Sequence, residues 1–333
     1  MVHDVRSVTL PSLKRFHLAT LFGVALLVGL TLYWGAGGVM LAVASAGWGV
    51  ALIILVRLAQ ILFSGVAWRS VVVARVSWWI CPLLRWVREA IDVLLPVAQV
   101  GGEIIGARLL AKFGVPGATA TASVLADMLV QVSTQLVFCL LGLLFFVLKA
   151  GDSDLSFWMG CGLLLFTAGV LGFVAAQRGG GAEWIEKRIV AVATNRGWPV
   201  PGGVVGLAAG LQAVHRSPSR LLVAAAIHMA IWVFGALEVW IGLQFLGQPV
   251  DFEEALVIES LSHAARAALF VVPGGIGIQE GAIIALGAAY GLSPQVALAV
   301  GLLKRAPDIV LGILGLMVWQ GVEVRTARKP GGT

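Results

Sequence analysis

The chain has 333 residues, of which 59% are hydrophobic and 12% are charged, and its formal net charge is +6 at pH 7. A soluble domain has about 45–50% apolar and about 25% charged residues, so this composition excludes a cytosolic enzyme, a nucleic-acid-binding protein and a secreted disulfide scaffold. Runs at 16–56, 128–148, 155–177 and 281–303 contain no Lys, Arg, Asp or Glu. Since about 20 apolar residues cross a bilayer, the sequence predicts an all-α, polytopic helical membrane protein.

The first half of the chain contains four predicted spans and one interrupted apolar segment. The spans, in chain order, are 18–36, 48–68, 118–148 and 155–177. The apolar segment at 90–117 is interrupted by Pro96, Gly101 and Gly102, and Glu103 follows directly. Because Pro and Gly break helices, we interpret this segment as a re-entrant hairpin rather than a simple span.

The second half contains a charged loop, two predicted spans and a second interrupted segment. The loop at 178–220 includes a stretch that can lie on the membrane surface as an amphipathic helix. The spans are 221–246 and 294–320, which gives about six spans in all. Between them, Pro273, Gly274 and Gly275 interrupt the apolar segment 255–290, which predicts a second re-entrant hairpin.

The loop charges agree with this topology. If each interrupted segment returns to the side from which it came, the basic N-terminus, the arginines of 69–92, the loop 178–220 and the basic C-terminus are all cytoplasmic. The acidic turns at 149–154 and 247–254 are then outside. A single crossing by either segment would reverse later loops and lose this agreement. We therefore expect a multi-pass membrane protein with both termini in the cytoplasm, whose positive charges are loop anchors rather than a nucleic-acid surface.

A shift of 177 residues superimposes the two interrupted segments. It places Pro96 on Pro273 and Glu103 on Glu280, and it also aligns their flanking spans. Three predicted crossings separate equivalent points, so the two units have opposite orientations, as in many secondary transporters. The whole chain, 1–333, is predicted to be a single membrane domain, divided as follows: tail and first span 1–47, first unit 48–149, linking span and loop 150–220, second unit 221–320, and cytoplasmic tail 321–333.

Ionisable residues within the predicted membrane segments are candidates for substrate binding and translocation, because charges are costly there. These candidates are Glu103, Arg108, Asp127, Glu259, His263, Arg266, Glu280, Lys304, Arg305 and Asp308. Each hairpin glutamate either caps its own broken helix or takes up a proton or a cationic headgroup.

Equivalent positions of the two units carry opposite charges. Asp127 corresponds to Lys304, and Glu89 corresponds to Arg266. We expect such residues to pair across the pseudo-two-fold axis, either as structural salt bridges or as a gate. Glu259, His263 and Arg266 share one helical face, which predicts a polar stripe facing a cavity.

No metal site, cofactor site or catalytic residue is expected. Glu259 and His263 have the spacing of a zinc-binding pair, but no third ligand follows at a suitable distance. The cysteines stand alone in apolar sequence, and no Walker or catalytic-triad pattern occurs.

The segment 272–282 reads VPGGIGIQEGA and is followed by YGLSP at 290–294. This pattern resembles the membrane domain of lysylphosphatidylglycerol synthases and their stand-alone relatives. The first-half segment 100–108, VGGEIIGAR, looks like the hopanoid-biosynthesis-associated HpnL branch. The hairpin residues in these motifs and breaks are Pro96, Gly101, Gly102, Pro273, Gly274, Gly275, Gly277 and Gly281, and the second-unit motif also contains Glu280 and Arg305.

The resemblance implies a lipid-handling domain, which in the full-length relatives is a flippase for an aminoacylated phospholipid. Nothing in the sequence corresponds to their soluble aminoacyl-transferase domain, so lysyl transfer is not expected. The leading hypothesis is a lipid translocase of the bacterial inner membrane for a phospholipid, hopanoid or isoprenoid-type lipid. Its headgroup would be held by Arg266, Lys304 and Arg305, with Glu103 and Glu280 tuning the charge.

Two other classes of function remain as alternatives. One is a non-catalytic membrane partner that holds lipid-biosynthesis enzymes, such as hopanoid enzymes, through the loop 178–220. The other is an intramembrane enzyme acting on a lipid headgroup, with Glu259, His263 and Glu280 as acid–base groups. No nucleophile or metal pattern supports the enzyme, so the protein is expected not to be one.

Overall fold

A computed structural model describes residues 44–95, 101–150, 154–178, 180–195, 203–268 and 275–327, together with isolated positions between 28 and 40. Within these ranges the secondary structure is helical and contains no strand, so the predicted all-α class is confirmed. The helices are α1 Gly49–Val71, α2 Ile80–Leu94, α3 Gly101–Lys112, α4 Gly117–Ala150, α5 Asp154–Arg178, α6 Gly181–Asn195, α7 Leu207–His215, α8 Pro218–Phe245, α9 Phe252–Ala268, α10 Ile278–Ala289, α11 Pro294–Leu303 and α12 Arg305–Ala327.

Four of the described helices, α1, α4, α5 and α8, are long and apolar enough to cross a membrane. They correspond to the second to fifth predicted spans, so the protein is a multi-pass membrane protein. Most of the first predicted span lies outside the described residues, as do Pro96, Pro273 and Gly274.

The sixth predicted span, 294–320, consists of two helices rather than one. The hydroxyl of Ser293 accepts a hydrogen bond from the N–H of Val296 at the start of α11. This helix ends at Leu303, Lys304 forms a turn, and α12 begins at Arg305. The physical reason is Pro307, because a proline ring clashes with the carbonyl four residues earlier, which here belongs to Leu303.

The helix boundaries repeat at the shift of 177 residues that relates the two halves of the sequence. Helix α3 shifted in this way gives 278–289, which are the bounds of α10. Helix α4 becomes 294–327, which are the start of α11 and the end of α12. Three helices long and apolar enough to cross a membrane, α1, α4 and α5, separate equivalent points. This is the odd number that the predicted opposite orientation of the units requires.

Packing between the two units follows the same relation. The equivalent helices α1 and α8 pack against each other. Helix α2 packs against α12 of the second unit, and its counterpart α9 packs against α4 of the first. Helices α2 and α9, which precede the chain breaks of the two hairpins and are called the re-entrant helices below, therefore each pack against the last helix of the other unit. This is the exchange that a two-fold relation produces.

Close approach of α1 and α2 depends on Gly65. A Cβ at this position would lie 2.2 Å from the backbone Cα of Pro82, so any larger residue would push the re-entrant helix away. Helix α5 differs from the other three spanning helices, because only 11% of its apolar stretch is buried, against 33% in each of the others. It thus presents most of its surface to lipid while one face covers the interior.

Candidate functional site

A cavity of about 640 Å³ lies between the re-entrant helices and the spans. Its polar wall comes from both units and consists of Arg57, Gln60, Ser64, Arg85, Glu89, Glu103, Gln131, Gln135, His228, His263 and Arg266. Its other wall is a strip of α5 that includes Leu165, Phe166, Val170 and Phe173. Charged side chains from both units and apolar side chains of α5 therefore line a single space.

The first charged cluster surrounds Asp127, whose side chain is fully buried. Its Oδ2 lies 3.5 Å from Nη1 of Arg85 and 3.4 Å from Nη1 of Arg88. Its Oδ1 lies 3.0 Å from Nε2 of His228, which belongs to the second unit. Arg88 also pairs with Glu103. One acid is thus held among two arginines and a histidine.

The second cluster surrounds Lys304, which is 3% exposed. Its Nζ lies 2.7 Å from both carboxylate oxygens of Glu259 and 3.1 Å from Oε2 of Glu238. Glu238 also accepts a hydrogen bond from Nε2 of Gln60 at 2.7 Å and lies 3.5 Å from Nε of Arg57. Here one base is held between two acids, and first-unit side chains complete the cluster.

The two hairpin glutamates have different contacts. Oε2 of Glu280 accepts a hydrogen bond from the N–H of Gly277 at 2.7 Å, and its Oε1 pairs with Nε of Arg305 at 2.7 Å. Glu280 is therefore a helix cap in the second unit, one of the two roles predicted for it. In the first unit Glu103 pairs with Arg88 and lines the cavity. The N–H of Gly102 at the start of this helix donates to Asp92 at 2.8 Å.

The predicted site residues occupy three kinds of environment. Glu103, His263 and Arg266 line the cavity. Four others are buried in the clusters or at the hairpin, namely Asp127, Glu259, Glu280 and Lys304. The rest lie in pairs beside the cavity or at the edge: Arg305 with Asp308 at 3.5 Å, Asp308 with Arg57 at 3.5 Å, and Arg108 with Glu323.

The expected pairing of equivalent residues does not occur. Asp127 contacts Arg85 and Arg88 rather than Lys304, and Glu89 contacts Arg85 at 3.5 Å rather than Arg266. The reason is local, since Arg85 stands one helical turn from Glu89 on α2 and therefore reaches it first. The two-fold relation matches backbone positions but does not force their side chains together.

The sequence interpretation missed several polar residues of these clusters: Arg85, Arg88, Gln131, His228 and Glu238. Arg85 and Arg88 were assigned to a cytoplasmic loop, yet both are buried in the re-entrant helix α2. Glu238 carried a usable signal, because a lone carboxylate in a predicted span is itself a functional candidate. Among the described residues, no group of three or more His, Cys, Asp or Glu side chains is arranged to hold a metal ion.

The sequence model of one family, the lysylphosphatidylglycerol synthase TM region, matches residues 18–315. The chain therefore belongs to this family, which links it to lipid handling in membranes. No curated protein and no solved structure matches the chain.

Proposed function

We propose that this family member is a lipid translocase of the bacterial inner membrane, with both termini in the cytoplasm. The observation that supports the proposal is the cavity with one charged and one apolar wall. A lipid headgroup fits the charged wall formed by both units, while its acyl chains follow the strip of α5. The cavity volume of about 640 Å³ lies within the range of roughly 300–1,000 Å³ that is typical of small-molecule binding pockets.

Movement of the two units against each other would alternate access to the cavity. The contacts that would have to change are the polar bonds joining the units, among them Arg57 with Glu238 and His228 with Asp127. A charged headgroup that enters the cavity competes for such partners. The protein then moves the lipid without changing it chemically.

We further propose that the chain belongs to the hopanoid-associated HpnL branch, on the basis of the segment 100–108. A non-catalytic role as partner of lipid-biosynthesis enzymes is the second candidate. It is favoured by the folded structure of the loop, where the carboxylate of Glu186 accepts hydrogen bonds from the N–H groups of Gly206 and Ala208. Trp184, which is 61% exposed on α6, offers a contact for such a partner.

The translocase proposal is tested by lipid flipping in proteoliposomes that contain the full chain. Gly169 of α5 lines the cavity, and a Cβ there would meet no atom within 4 Å. We expect Gly169→Trp to fill the cavity and abolish protein-dependent flipping. Gly162→Trp is the matched control, because Gly162 lies on the same helix with equally open surroundings but outside the cavity.

Flipping that is equal in the two tryptophan variants would contradict this assignment of the cavity. Absence of flipping for every lipid, in protein shown to be folded, would contradict the translocase function. In that case, loss of binding to lipid-biosynthesis enzymes after deletion of 181–215 would support the partner role.

A further inference from the structure

Resting on the proposed function, we infer that the cavity selects a lipid whose headgroup is an anionic phosphate ester, and that Arg266 contacts this phosphate directly. The inference narrows the substrate from lipids in general to one charge class. It also excludes, as the preferred ligand, a lipid whose headgroup is a cationic aminoacyl ester. It rests on a comparison of the ion pairs made by each charged residue that lines the cavity.

Two of the three arginines that line the cavity are already paired. Arg57 contacts Glu238 and Asp308, each at 3.5 Å. Arg85 contacts Asp127 and Glu89, each at 3.5 Å, and donates to Gln131. Within the part of the chain that the structure describes, Arg266 forms no ion pair and no hydrogen bond through its side chain. It is therefore the cation available to a ligand.

Charges of both signs act on Arg266. They include two arginines, Arg305 and Arg57, and two carboxylates, Asp308 and Glu89, and neither carboxylate forms an ion pair with it. Arg266 is partly buried, so an anion bound from the cavity would replace solvation that the guanidinium has lost.

The acids of the cavity wall, by contrast, have cationic partners. Glu103 pairs with Arg88, and Glu89 pairs with Arg85. Both of these arginines are shared with Asp127. Among the charged side chains of the described cavity wall, Arg266 is the one without an ion pair, so the wall offers an anionic headgroup a cation that is not already bound.

The side chain of Arg266 is held in place by the second hairpin. Gly275 has a φ of +60°, and a Cβ on it would lie 2.7 Å from Cγ of Arg266. The hairpin backbone thus lies directly on the aliphatic part of the arginine and fixes where the guanidinium points. A planar guanidinium can bind two phosphate oxygens at once, so a fixed arginine suits this group better than a mobile one.

The apolar strip of α5 indicates that the phosphate arrives on a lipid rather than as a free ion. Leu165, Phe166 and Phe173 stand opposite the charged wall. Inorganic phosphate would gain nothing from these side chains, whereas acyl chains would cover them. The two sources of phosphate can be separated by experiment.

The test measures lipid binding to the purified full chain by native mass spectrometry, and flipping in proteoliposomes. The probes are phosphatidylglycerol, a neutral glycolipid with the same acyl chains, a lysyl ester of phosphatidylglycerol, and inorganic phosphate. We expect phosphatidylglycerol to bind at least about tenfold more tightly than the other three, since charge-assisted hydrogen bonds have about that strength.

The variants are Arg266→Gln, Arg266→Lys and, as matched control, Arg75→Gln, which removes one exposed arginine outside the cavity. We expect Arg266→Gln to lose about tenfold in phosphatidylglycerol binding while glycolipid binding stays unchanged. Arg266→Lys should keep part of the affinity, and Arg75→Gln all of it. Thermal stability of Arg266→Gln should equal or exceed wild type, because an unpaired charge is removed.

Several results would overturn the inference. They are equal binding of phosphatidylglycerol and glycolipid, tighter binding of the lysyl ester, unchanged binding by Arg266→Gln, or inorganic phosphate binding as tightly as the lipid. Loss of thermal stability in Arg266→Gln would instead give Arg266 a structural role. Specific phosphatidylglycerol binding without any flipping would contradict the proposed translocase function while keeping the binding site.

Discussion

The two repeat units have matching helices but opposite charges at their centres. Asp127, among Arg85, Arg88 and His228, occupies the position that Lys304 occupies in the second unit, between Glu259 and Glu238. Matching helix boundaries require only similar apolar patterns and breaks. The comparison shows that the fold can be repeated while the charged clusters are specified separately in each unit.

A second difference is found at the hairpins and bears on the cavity. Glu280 of the second unit accepts a hydrogen bond from Gly277 and pairs with Arg305, whereas Glu103 of the first unit pairs with Arg88 and lines the cavity. At the other equivalent pair of positions, Glu89 is bound by Arg85 and Arg266 has no ion pair among the described residues. The units thus differ on the wall of the cavity as well as at their buried centres.

The largest effect is expected at the centre of the second unit. Lys304→Met would leave Glu259 and Glu238 close together without their shared cation, and breaking such a buried pair costs about 3–5 kcal/mol. Unfolding in mixed micelles at increasing SDS fraction measures this loss. The control is Lys112→Met, which removes a partly exposed pair with Glu323 and should cost at most about 1 kcal/mol. Equal stability of the two variants would show that Lys304 does not hold the cluster together.

The centre of the first unit should be more tolerant. After Asp127→Asn, Arg85 and Arg88 still have Glu89 and Glu103 as counter-charges, and the asparagine oxygen still accepts hydrogen bonds. We expect a loss of about 3 kcal/mol or less in the same assay. Asp251→Asn, at an exposed acid, is the control. A loss larger than that of Lys304→Met would reverse the order of the two clusters.

The sequence predicted the helical architecture far better than the side-chain contacts of the buried charges. Long charge-free runs and the spacing from Pro96 to Glu103 depend on local chemistry, so the spans and the repeat could be inferred. The partner of a buried charge depends on which helices pack together. The pairing of Asp127 with Arg85 rather than with Lys304 could therefore not be predicted from the sequence. The break at Lys304 was predictable in principle, because Pro307 stands in the sequence four residues after Leu303.

The two units should also differ in how well they tolerate alanine at an equivalent glycine. Gly65 and Gly242 are equivalent by the shift of 177, yet a Cβ at Gly65 would lie 2.2 Å from Cα of Pro82 and one at Gly242 would have contacts of 3.8 Å. We expect Gly65→Ala to cost about 1–2 kcal/mol through overpacking. Gly242→Ala should be neutral or stabilise by up to about 1 kcal/mol, because alanine favours a helix. Equal changes in stability of the two variants in SDS unfolding would contradict the close approach of α1 and α2 at Gly65.

The smallest effect is expected in the loop that joins the units, where a carboxylate lies outside the membrane-spanning helices. The N–H groups of Gly206 and Ala208 donate to Glu186 and hold its pKa below the usual range. Because the folded-state pKa is lowered, this carboxylate stabilises the docking of α6 on α7 above the unfolded pKa of about 4.3. That contribution is lost as the pH falls through the lower folded value. Hydrogen exchange over 181–215 should therefore quicken below about pH 4 in wild type, after correction for intrinsic rates. Glu186→Gln should show the faster exchange at neutral pH already, with little further change on acidification.

The repeat units should keep their protection from hydrogen exchange in both proteins, since no bond of Glu186 reaches their buried clusters. Loss of protection in α1 or α8 of the variant would instead show that the loop contributes to the stability of the units.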